Sequence, residues 1–349
     1  MTFVSPRRSL ISDARLELLR DWLANELTFG ADRIAPASGD ASFRRYFRVW
    51  RDGETFIAMD APPGREDVRP YLMIARMLAE IGVHVPRILA EQRTDGFLLV
   101  TDLGTRHYLE DLTANHNVES HYLDAMMTLN RIQSRGAEHA RHLPAYDRAV
   151  LEREMKLMPE WFCGRHLKLD LTAADQQALA TTFELLCREA LAQPKVFVHR
   201  DYHSRNLMVF SGDNPGVLDF QDAVNGPVTY DLVSLFRDCY IGWPQERVRD
   251  WVLRYRAMAL ASGVDVGADE NQFLRWFDLM GVQRHIKVLG IFSRLFHRDG
   301  KAEYLDNLPL TLKYVQSACA CHSELEPLGH FLRTRVAPIL AERTAEARA

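Results

Sequence analysis

The stretch that decides the fold runs from residue 196 to residue 209 and reads Val196-Phe197-Val198-His199-Arg200-Asp201-Tyr202-His203-Ser204-Arg205-Asn206-Leu207-Met208-Val209. After a turn at residues 211–214, the chain continues with Val217-Leu218-Asp219-Phe220-Gln221-Asp222. An apolar strand, a polar loop and a hairpin in this order are expected to bring Asp201, Asn206 and Asp219 together. Two carboxylates and one amide oxygen can then hold an acceptor hydroxyl and Mg²⁺, which prefers oxygen ligands.

The spacing within this stretch is the second clue. A His two residues before an Asp, an Asn five residues after that Asp, and a later Asp-Phe pair resemble the phosphoryl-transfer pattern of the protein-kinase superfamily. A lone His-x-Asp is usually chance, because Asp201 could cap a turn and Asn206 could begin a hairpin. The three residues, their spacing and the strand-loop-hairpin context together predict kinase chemistry but say little about the substrate.

The predicted secondary structure changes from mainly strands to mainly helices near residue 104. Upstream, the turns Asp52-Gly53 and Thr94-Asp95-Gly96 predict two hairpins with a helix at 68–81 between them, after an opening helix at 12–28 capped by Ser12. Downstream, apolar periodicity predicts helices at 118–135, 145–160, 173–192, 230–240, 244–261, 270–296, 303–323 and 326–346.

These patterns predict an α+β, bilobal protein-kinase-like fold. The N-lobe, residues 1–103, is expected to be a small antiparallel, nucleotide-binding sheet plus one helix. The C-lobe, residues 104–349, is expected to be mainly helical and to hold the catalytic loop and the acceptor-substrate site.

Composition excludes several classes of protein. The 349 residues are 47% hydrophobic and carry a net charge of −4, so no basic field indicates nucleic acid as a partner. No apolar run reaches the roughly 18 residues that a membrane helix needs. Five cysteines without a C-x-x-C pair, and an N-terminus without a signal-like apolar stretch, predict a reduced, cytoplasmic protein. The sequence leaves the oligomeric state open.

The motif resembles one family in particular. Residues 199–206 together with 219–222 resemble the aminoglycoside phosphotransferase (APH) family of kinase-like fold, although Arg200 stands where that family usually has Gly. Within it, three further segments resemble the bacterial cell-wall-recycling kinases that act on the anomeric hydroxyl of N-acetylmuramate and N-acetylglucosamine: residues 43–49, 59–63 and 99–104. The resemblance implies ATP and Mg²⁺ as cofactors, an amino sugar as substrate, and the 1-phosphate as product in peptidoglycan recycling.

The resemblance also implies roles for single residues. Asp201 is expected to be the catalytic base, or the group that orients the acceptor hydroxyl, and Asn206 and Asp219 are expected to bind Mg²⁺. Asp231, in Tyr230-Asp231-Leu232, is expected to brace the catalytic loop, to cap a helix, or to do both. The backbone of the segment that contains Val100, Asp102 and Leu103 is expected to contact adenine.

The nucleotide side departs from the kinase pattern. The third strand, residues 55–60, has no Lys, and the phosphate loop, residues 38–45, has one Gly. Phosphates need cations, and the candidates here are Arg44, Arg45 and Arg48. Strand alternation puts Arg44 and Arg48 on one face and Arg45 on the other. We favour Arg44 as the phosphate contact; the alternative is an ordinary solvated strand face.

The acceptor side is predicted from a basic helix at 281–298. Arg284 and Lys287 lie one turn apart among apolar residues, and buried charges need a partner. The carboxylate of N-acetylmuramate would supply one; the alternative is a solvated basic face. His203 is expected either to line the acceptor pocket or to brace the loop.

Two other functions compete with a sugar kinase. An aminoglycoside or choline-type kinase would need an acidic pocket for its cationic substrate, which the basic helix disfavours. A non-catalytic pseudokinase module would fit the missing strand Lys, but it would not require Asp201, Asn206 and Asp219 together.

Overall fold

A computed structural model describes residues 13–39, 43–212 and 214–348. The chain forms two compact units. The first, here called the sheet unit, comprises the chain up to Ala75 together with Pro86–Leu103. The second, the helical unit, comprises Arg76–Val85 together with the chain from Gly104 onward.

The sheet unit contains a five-stranded antiparallel sheet in the order β1-β2-β3-β5-β4. Its strands are β1 Arg33–Gly39, β2 Arg45–Arg51, β3 Glu54–Asp60, β4 Ile88–Gln92 and β5 Phe97–Thr101. Asp52 and Gly53 both adopt positive φ, as a tight hairpin turn between β2 and β3 requires. Helix α2, Val68–Glu80, follows β3. Both predicted hairpins and the inserted helix are thereby confirmed.

The opening helix differs from its prediction in detail. Helix α1 spans Ala14–Asp21 and continues as a π-helical turn over Trp22–Glu26. Ser12, the predicted cap, lies outside the described residues, and the carboxylate of Asp13 accepts the N–H of Leu16 at 3.1 Å in the capping position. Leu19 and Leu23 are buried in one hydrophobic core with sheet residues such as Val49 and Ala58.

The helical unit consists of helices around one irregular strand region. Its helices are α3 Tyr108–Thr113, α4 Val118–Arg135, α5 Ala137–Ala140, α6 Arg148–Met155, α7 Ala173–Leu191, α8 Tyr230–Phe236, α9 Gln245–Ala261, α10 Glu270–Asp299, α11 Leu308–Cys321, α12 Glu326–Phe331 and α13 Ala337–Arg348. Further π-helical turns span Met158–His166 and Leu332–Val336, and 3₁₀ turns span Ala302–Asn307 and Ser323–Leu325.

The predicted helix at 145–160 is wrong as a single element, because α6 ends at Met155 and the chain then widens into the first of these π-helical turns. In the described residues, no helix is both long enough and apolar enough to cross a membrane.

The strand region positions the predicted motif. Strand β6, Lys195–Val198, pairs antiparallel with β9, Val224–Pro227, which the sequence did not predict. Strands β7, Leu207–Met208, and β8, Gly216–Val217, form a short hairpin. Residues 199–206, here called the catalytic loop, join β6 to β7. Asp219 follows the hairpin directly.

Helix α10 is the central helix of this unit. It begins behind Asp269, whose carboxylate accepts the N–H of Gln272 at 2.9 Å, and ends at Gly300 in the left-handed region. Buried residues lie on every side of its middle turns, where it packs against α7, α8 and α11. Arg284 and Lys287 lie on these turns, so neither occupies a solvated face, which was the alternative for this helix.

Candidate active site

Asp231 holds the start of the catalytic loop. Its two carboxylate oxygens accept the backbone N–H groups of His199 at 2.7 Å and Arg200 at 2.9 Å. Burial raises the pKa of Asp231 to about 7, although both N–H donors lower it. The bracing role expected of Asp231 is what the structure shows. The capping role is not, because Thr229 occupies the cap position of α8.

His199 ties the catalytic loop to the segment that leads to Asp219. Its Nε2–H donates to the carbonyl of Leu218 at 3.0 Å, and its Nδ1 accepts the N–H of Asp201 at 3.3 Å. Burial lowers the pKa of His199 to about 4. The imidazole is therefore neutral near pH 7, and its two hydrogen bonds fix one tautomer.

Two residues of the motif adopt unusual backbone conformations. Arg200 has φ +79° and Asp219 has φ +60°, a region that costs energy for residues with a side chain. At Arg200 several bonds offset this cost, because its carbonyl accepts from Arg284 Nη1 at 2.8 Å and Ser234 Oγ at 3.2 Å. These bonds hold Arg200 in this conformation.

Asp201 emerges from this loop as a half-exposed carboxylate. Its side chain is 35% exposed, and one oxygen lies 3.7 Å from Arg284 Nη1. Burial by itself would raise the pKa of Asp201, but the charges of Arg284 and Lys287 hold the pKa well below the usual range. The carboxylate is therefore ionised at neutral pH and accessible to a hydroxyl group.

Asn206 and Asp219 lie together beside Asp201. Asn206 Nδ2 donates to the Asp201 carbonyl at 3.0 Å and lies 3.4 Å from Asp219 Oδ2. Gln221 Nε2 donates to Asp219 Oδ1 at 2.8 Å, while Gln221 Oε1 is buried with no hydrogen-bond partner. The structure thus brings together the three residues that the motif predicts.

These oxygen donors fit Mg²⁺. Within the described ranges, no three His, Cys, Asp or Glu side chains cluster as a metal cage. Mg²⁺ usually binds one or two carboxylates together with substrate phosphates, which is what Asp219 and its amide neighbours offer.

A buried ion cluster underlies the catalytic loop. Glu154 on α6 is only 6% exposed and pairs with the guanidinium of Arg200 and with Lys287 Nζ, the latter at 3.0 Å. The hydroxyl of Tyr146 also donates to Glu154. Burial would raise the pKa of Glu154, but Lys287 and Arg200 lower it to about 2. We call Glu154, Arg200, Lys287 and Tyr146 the Glu154 cluster.

The ion pairs beneath the loop bear on the substrate-binding role that was expected of Arg284 and Lys287. Arg284 and Lys287 were expected to bind a sugar carboxylate because buried charges need partners. The protein itself supplies those partners, Asp201 for Arg284 and Glu154 for Lys287, and Tyr230 Oη lies 3.0 Å from Lys287 Nζ. The physical reason for assigning the substrate carboxylate to this pair is therefore absent.

His203, a residue of the catalytic loop, packs against the ring of Tyr240. Its ring meets Tyr240 edge to face at 5.4 Å between centroids, and its Nδ1 is buried without a hydrogen-bond partner. Burial lowers the pKa of His203, so the ring is neutral near pH 7. Among the described residues, no hydrogen bond from His203 Nδ1 braces the catalytic loop. A role of His203 in lining the acceptor pocket stays a prediction.

In the sheet unit, Arg45 and Arg48 lie on opposite faces of the sheet, as alternation predicts. Arg45 bonds Asp60 Oδ2 through Nε at 2.9 Å and also pairs with Asp13, on the α1 side of the sheet. Arg48 pairs with Asp102 on the other face. Arg44, directly before β2, lies 3.8 Å from Glu66 and is 10% exposed. The contact of Arg44 with phosphate remains a prediction. Residues 40–42 of the predicted phosphate loop lie outside the described residues.

The predicted adenine contacts lie at the end of β5. Val100, in β5, pairs with Ile57 of β3 and is 3% exposed, and Leu103 is buried as well. Since both side chains belong to the core, any contact with adenine would use the backbone. The carboxylate of Asp102 is committed to Arg48, a role that the sequence did not reveal.

Sequence reasoning missed Glu154 and the role of Arg200. Glu154 lies in a stretch that reads as an ordinary helix, and its partners Arg200 and Lys287 are 46 and 133 residues away. The one available signal was a charged residue at a buried position of α6, between Leu151 and Met155. A single sequence cannot pair such a residue with a distant cation.

The fold and the site define a kinase-like phosphotransferase. The sequence pattern of the phosphotransferase enzyme family, APH, matches residues 33–269. The chain belongs to this family and is a kinase.

Relatives with assigned names agree with this class. The chain is 46% identical over 347 residues to the N-acetylmuramate/N-acetylglucosamine kinase of Pseudomonas putida, covering 97% of this chain and 99% of that protein. It is 42% identical over 314 residues to the kinase of the same name from Neisseria meningitidis, covering 89% and 92%.

Solved structures show the same fold at much lower identity. Spectinomycin phosphotransferase in complex with ADP and spectinomycin has a TM-score of 0.61 at 12% identity, covering 89% of this chain and 98% of that chain. Choline kinase from Streptococcus pneumoniae has a TM-score of 0.60 at 10% identity, covering 87% and 100%. These similarities establish the kinase-like fold that the motif predicted.

Proposed function

We propose that this enzyme uses ATP and Mg²⁺ to phosphorylate the anomeric hydroxyl of N-acetylmuramate and N-acetylglucosamine, giving the sugar 1-phosphate in peptidoglycan recycling. The observation that carries the proposal is the half-exposed, ionised Asp201 beside Asn206 and Asp219. The high identity to kinases named for these two sugars supports the choice of substrate.

The environment of Asp201 suits an anomeric hydroxyl. Nearby positive charges lower the pKa of Asp201, which makes it a weak base. Phosphoryl transfer needs mainly orientation and charge neutralisation, and an anomeric hydroxyl is more acidic than an ordinary alcohol. Asp201 therefore orients the acceptor oxygen and takes a proton that is released easily.

Asn206 and Asp219 would hold Mg²⁺. When bound, the ion neutralises charge on the phosphates. On the protein side, the amide of Gln221 orients the Asp219 carboxylate, and the Asn206 amide ties Asp219 to the carbonyl of Asp201. The base and the proposed metal ligands are thus parts of one hydrogen-bonded unit.

The charges around Asp201 disfavour a cationic acceptor such as an aminoglycoside or choline. Arg200, Arg284 and Lys287 surround the loop, and the compensating carboxylates of Asp201 and Glu154 are already paired with them. A cationic substrate would be repelled by these three cations, whereas a neutral or anionic sugar meets no such cost.

Product analysis by phosphorus NMR tests the proposal. The enzyme, ATP and Mg²⁺ are incubated separately with N-acetylmuramate, N-acetylglucosamine, kanamycin and choline. We expect a sugar phosphate whose phosphorus couples to the anomeric proton, with loss of the reducing end, for the two sugars only. Phosphorylation of kanamycin or choline in preference to both sugars would overturn the substrate assignment, and a 6-phosphate would overturn the anomeric site.

A further inference from the structure

The catalytic loop alternates between buried and accessible residues. Tyr202 and Ser204 are buried, and Tyr202 Oη donates to the carbonyl of Ala125 at 2.9 Å. Asp201, His203 and Arg205 are only partly buried. Tyr202 and Ser204 therefore anchor the loop, while the side chains of Asp201, His203 and Arg205 remain accessible to a substrate. Asp201 is the proposed base.

Arg205 lies over an aromatic surface. Its guanidinium carbon is 3.8 Å from the ring centroid of Tyr240 and 6.0 Å from that of Tyr304. Both rings pack against Phe292 of α10, at 6.1 and 5.1 Å. Stacking of this kind orients a guanidinium while leaving its N–H groups at the edge free to donate.

Asp238 fixes this arrangement. Its carboxylate is 2% exposed and accepts the N–H of Ser204 and the N–H of Tyr240, both at 3.0 Å. The residue before Arg205 and the ring beneath Arg205 are therefore held by one buried group. Arg205 has little freedom to turn away, so less entropy is lost when it binds a ligand.

Arg205 differs from the other cations of the loop region in its partners. Arg200 and Lys287 pair with Glu154, and Arg284 pairs with Asp201. In the parts of the chain that the structure describes, no carboxylate lies within ion-pair distance of Arg205. Arg205 thus carries an oriented positive charge, four residues from the base, that none of the described carboxylates pairs with.

We propose that Arg205 is a specificity-determining residue that binds the carboxylate of the acceptor sugar. The inference rests on the proposed function, in which one substrate, N-acetylmuramate, carries a lactyl carboxylate and the other, N-acetylglucosamine, does not. The planar fork of a guanidinium matches a carboxylate with two parallel hydrogen bonds. His203 lies between Arg205 and Asp201 in the sequence and packs against the same Tyr240 ring.

The test measures kcat/KM for three acceptors: N-acetylmuramate, its neutral lactamide and N-acetylglucosamine. We expect Arg205→Gln to lower the value for N-acetylmuramate by about ten- to a hundredfold, the range of a charge-assisted hydrogen bond, and the values for the two neutral acceptors by much less. Arg205→Lys should give an intermediate loss, because it keeps the charge and loses the fork.

A matched control is Arg165→Gln. Arg165 also lies over an aromatic ring, Trp161 at 4.0 Å, but belongs to the π-helical turn at Met158–His166. This variant should not discriminate among the acceptors, and thermal unfolding checks all variants for folding. Equal losses on all three acceptors with Arg205→Gln would overturn the role of Arg205 alone. A wild-type enzyme inactive on both natural sugars would overturn the proposed function and this inference with it.

Discussion

Both units of the molecule bury one carboxylate between two cations, but the two clusters differ in their surroundings. In the sheet unit, Asp60 is fully buried between Arg15 and Arg45, whose side chains are 27% and 36% exposed. In the helical unit, Glu154 lies between Arg200 and Lys287, at 22% and 7%. Both arginines of the first cluster are partly exposed, whereas Lys287 of the second cluster is almost completely buried.

The difference concerns both stability and function. Partly exposed arginines can turn to solvent if their carboxylate is lost, and Arg45 keeps Asp13 as a second partner. Lys287 of the Glu154 cluster cannot do so, and breaking a buried pair leaves an uncompensated charge. Arg200 is also part of the catalytic loop, so the buried cluster, unlike the exposed one, bears on Asp201.

The largest expected effect follows from removing the charge of Glu154. Glu154→Gln should lower the free energy of unfolding by about 3–5 kcal/mol, because Arg200 and Lys287 lose their only carboxylate among the described residues. It should also lower kcat, because the loop residue next to Asp201 loses its anchor. Urea unfolding and steady-state kinetics measure the two effects.

Asp60→Asn is the matched change in the sheet unit. It should lower the free energy of unfolding by less than Glu154→Gln and should leave kcat near the wild-type value. If Asp60→Asn reduced kcat as much as Glu154→Gln, the functional distinction between the two clusters would be wrong.

A smaller effect is expected within the sheet unit itself. Arg44→Ala should raise the KM for ATP, on the order of tenfold for a lost charge-assisted bond to phosphate, because no Lys stands on β3. Arg45→Ala should change KM less, since Arg45 is committed to Asp13 and Asp60. The measurement is KM for ATP at saturating sugar, and a greater rise with Arg45→Ala would place the nucleotide on the other face of the sheet.

The last prediction is a pH dependence of the free energy of unfolding. The pKa of Glu154 is about 2 in the folded protein, below its ordinary value of 4.5, so its stabilising contribution is present above the ordinary value and is lost as pH falls toward 2. The gap in unfolding free energy between wild type and Glu154→Gln should be constant from pH 7 to about 5 and shrink below it. A gap that stays constant down to pH 3 would contradict the ion-pair account.

The sequence predicted what depends on neighbours along the chain. The spacing of Asp201, Asn206 and Asp219 lies within one strand-loop-hairpin segment, so its geometry follows from local structure. Alternation along β2 likewise separated Arg45 from Arg48. Both features involve short stretches in which backbone geometry alone determines which side chains share a face.

The sequence could not predict partners that tertiary packing brings together. Glu154 meets Arg200 and Lys287 only because α6, the loop and α10 pack against one another. For the same reason, we expected Arg284 and Lys287 to pair with the carboxylate of the substrate. In the structure they pair with carboxylates of the protein, Asp201 and Glu154. Arg205 went unnoticed because its aromatic surface comes from residues 35 to 99 positions downstream.

The central claim is that Asp201 orients and deprotonates the acceptor hydroxyl, and Asp201→Asn tests it most directly. The change keeps the shape of the side chain and removes its charge. We expect kcat to fall by about a hundredfold or more, the range of a lost general base, with the dissociation constant for ATP nearly unchanged. A purified, folded Asp201→Asn enzyme that turns over N-acetylglucosamine at close to the wild-type rate would contradict the account.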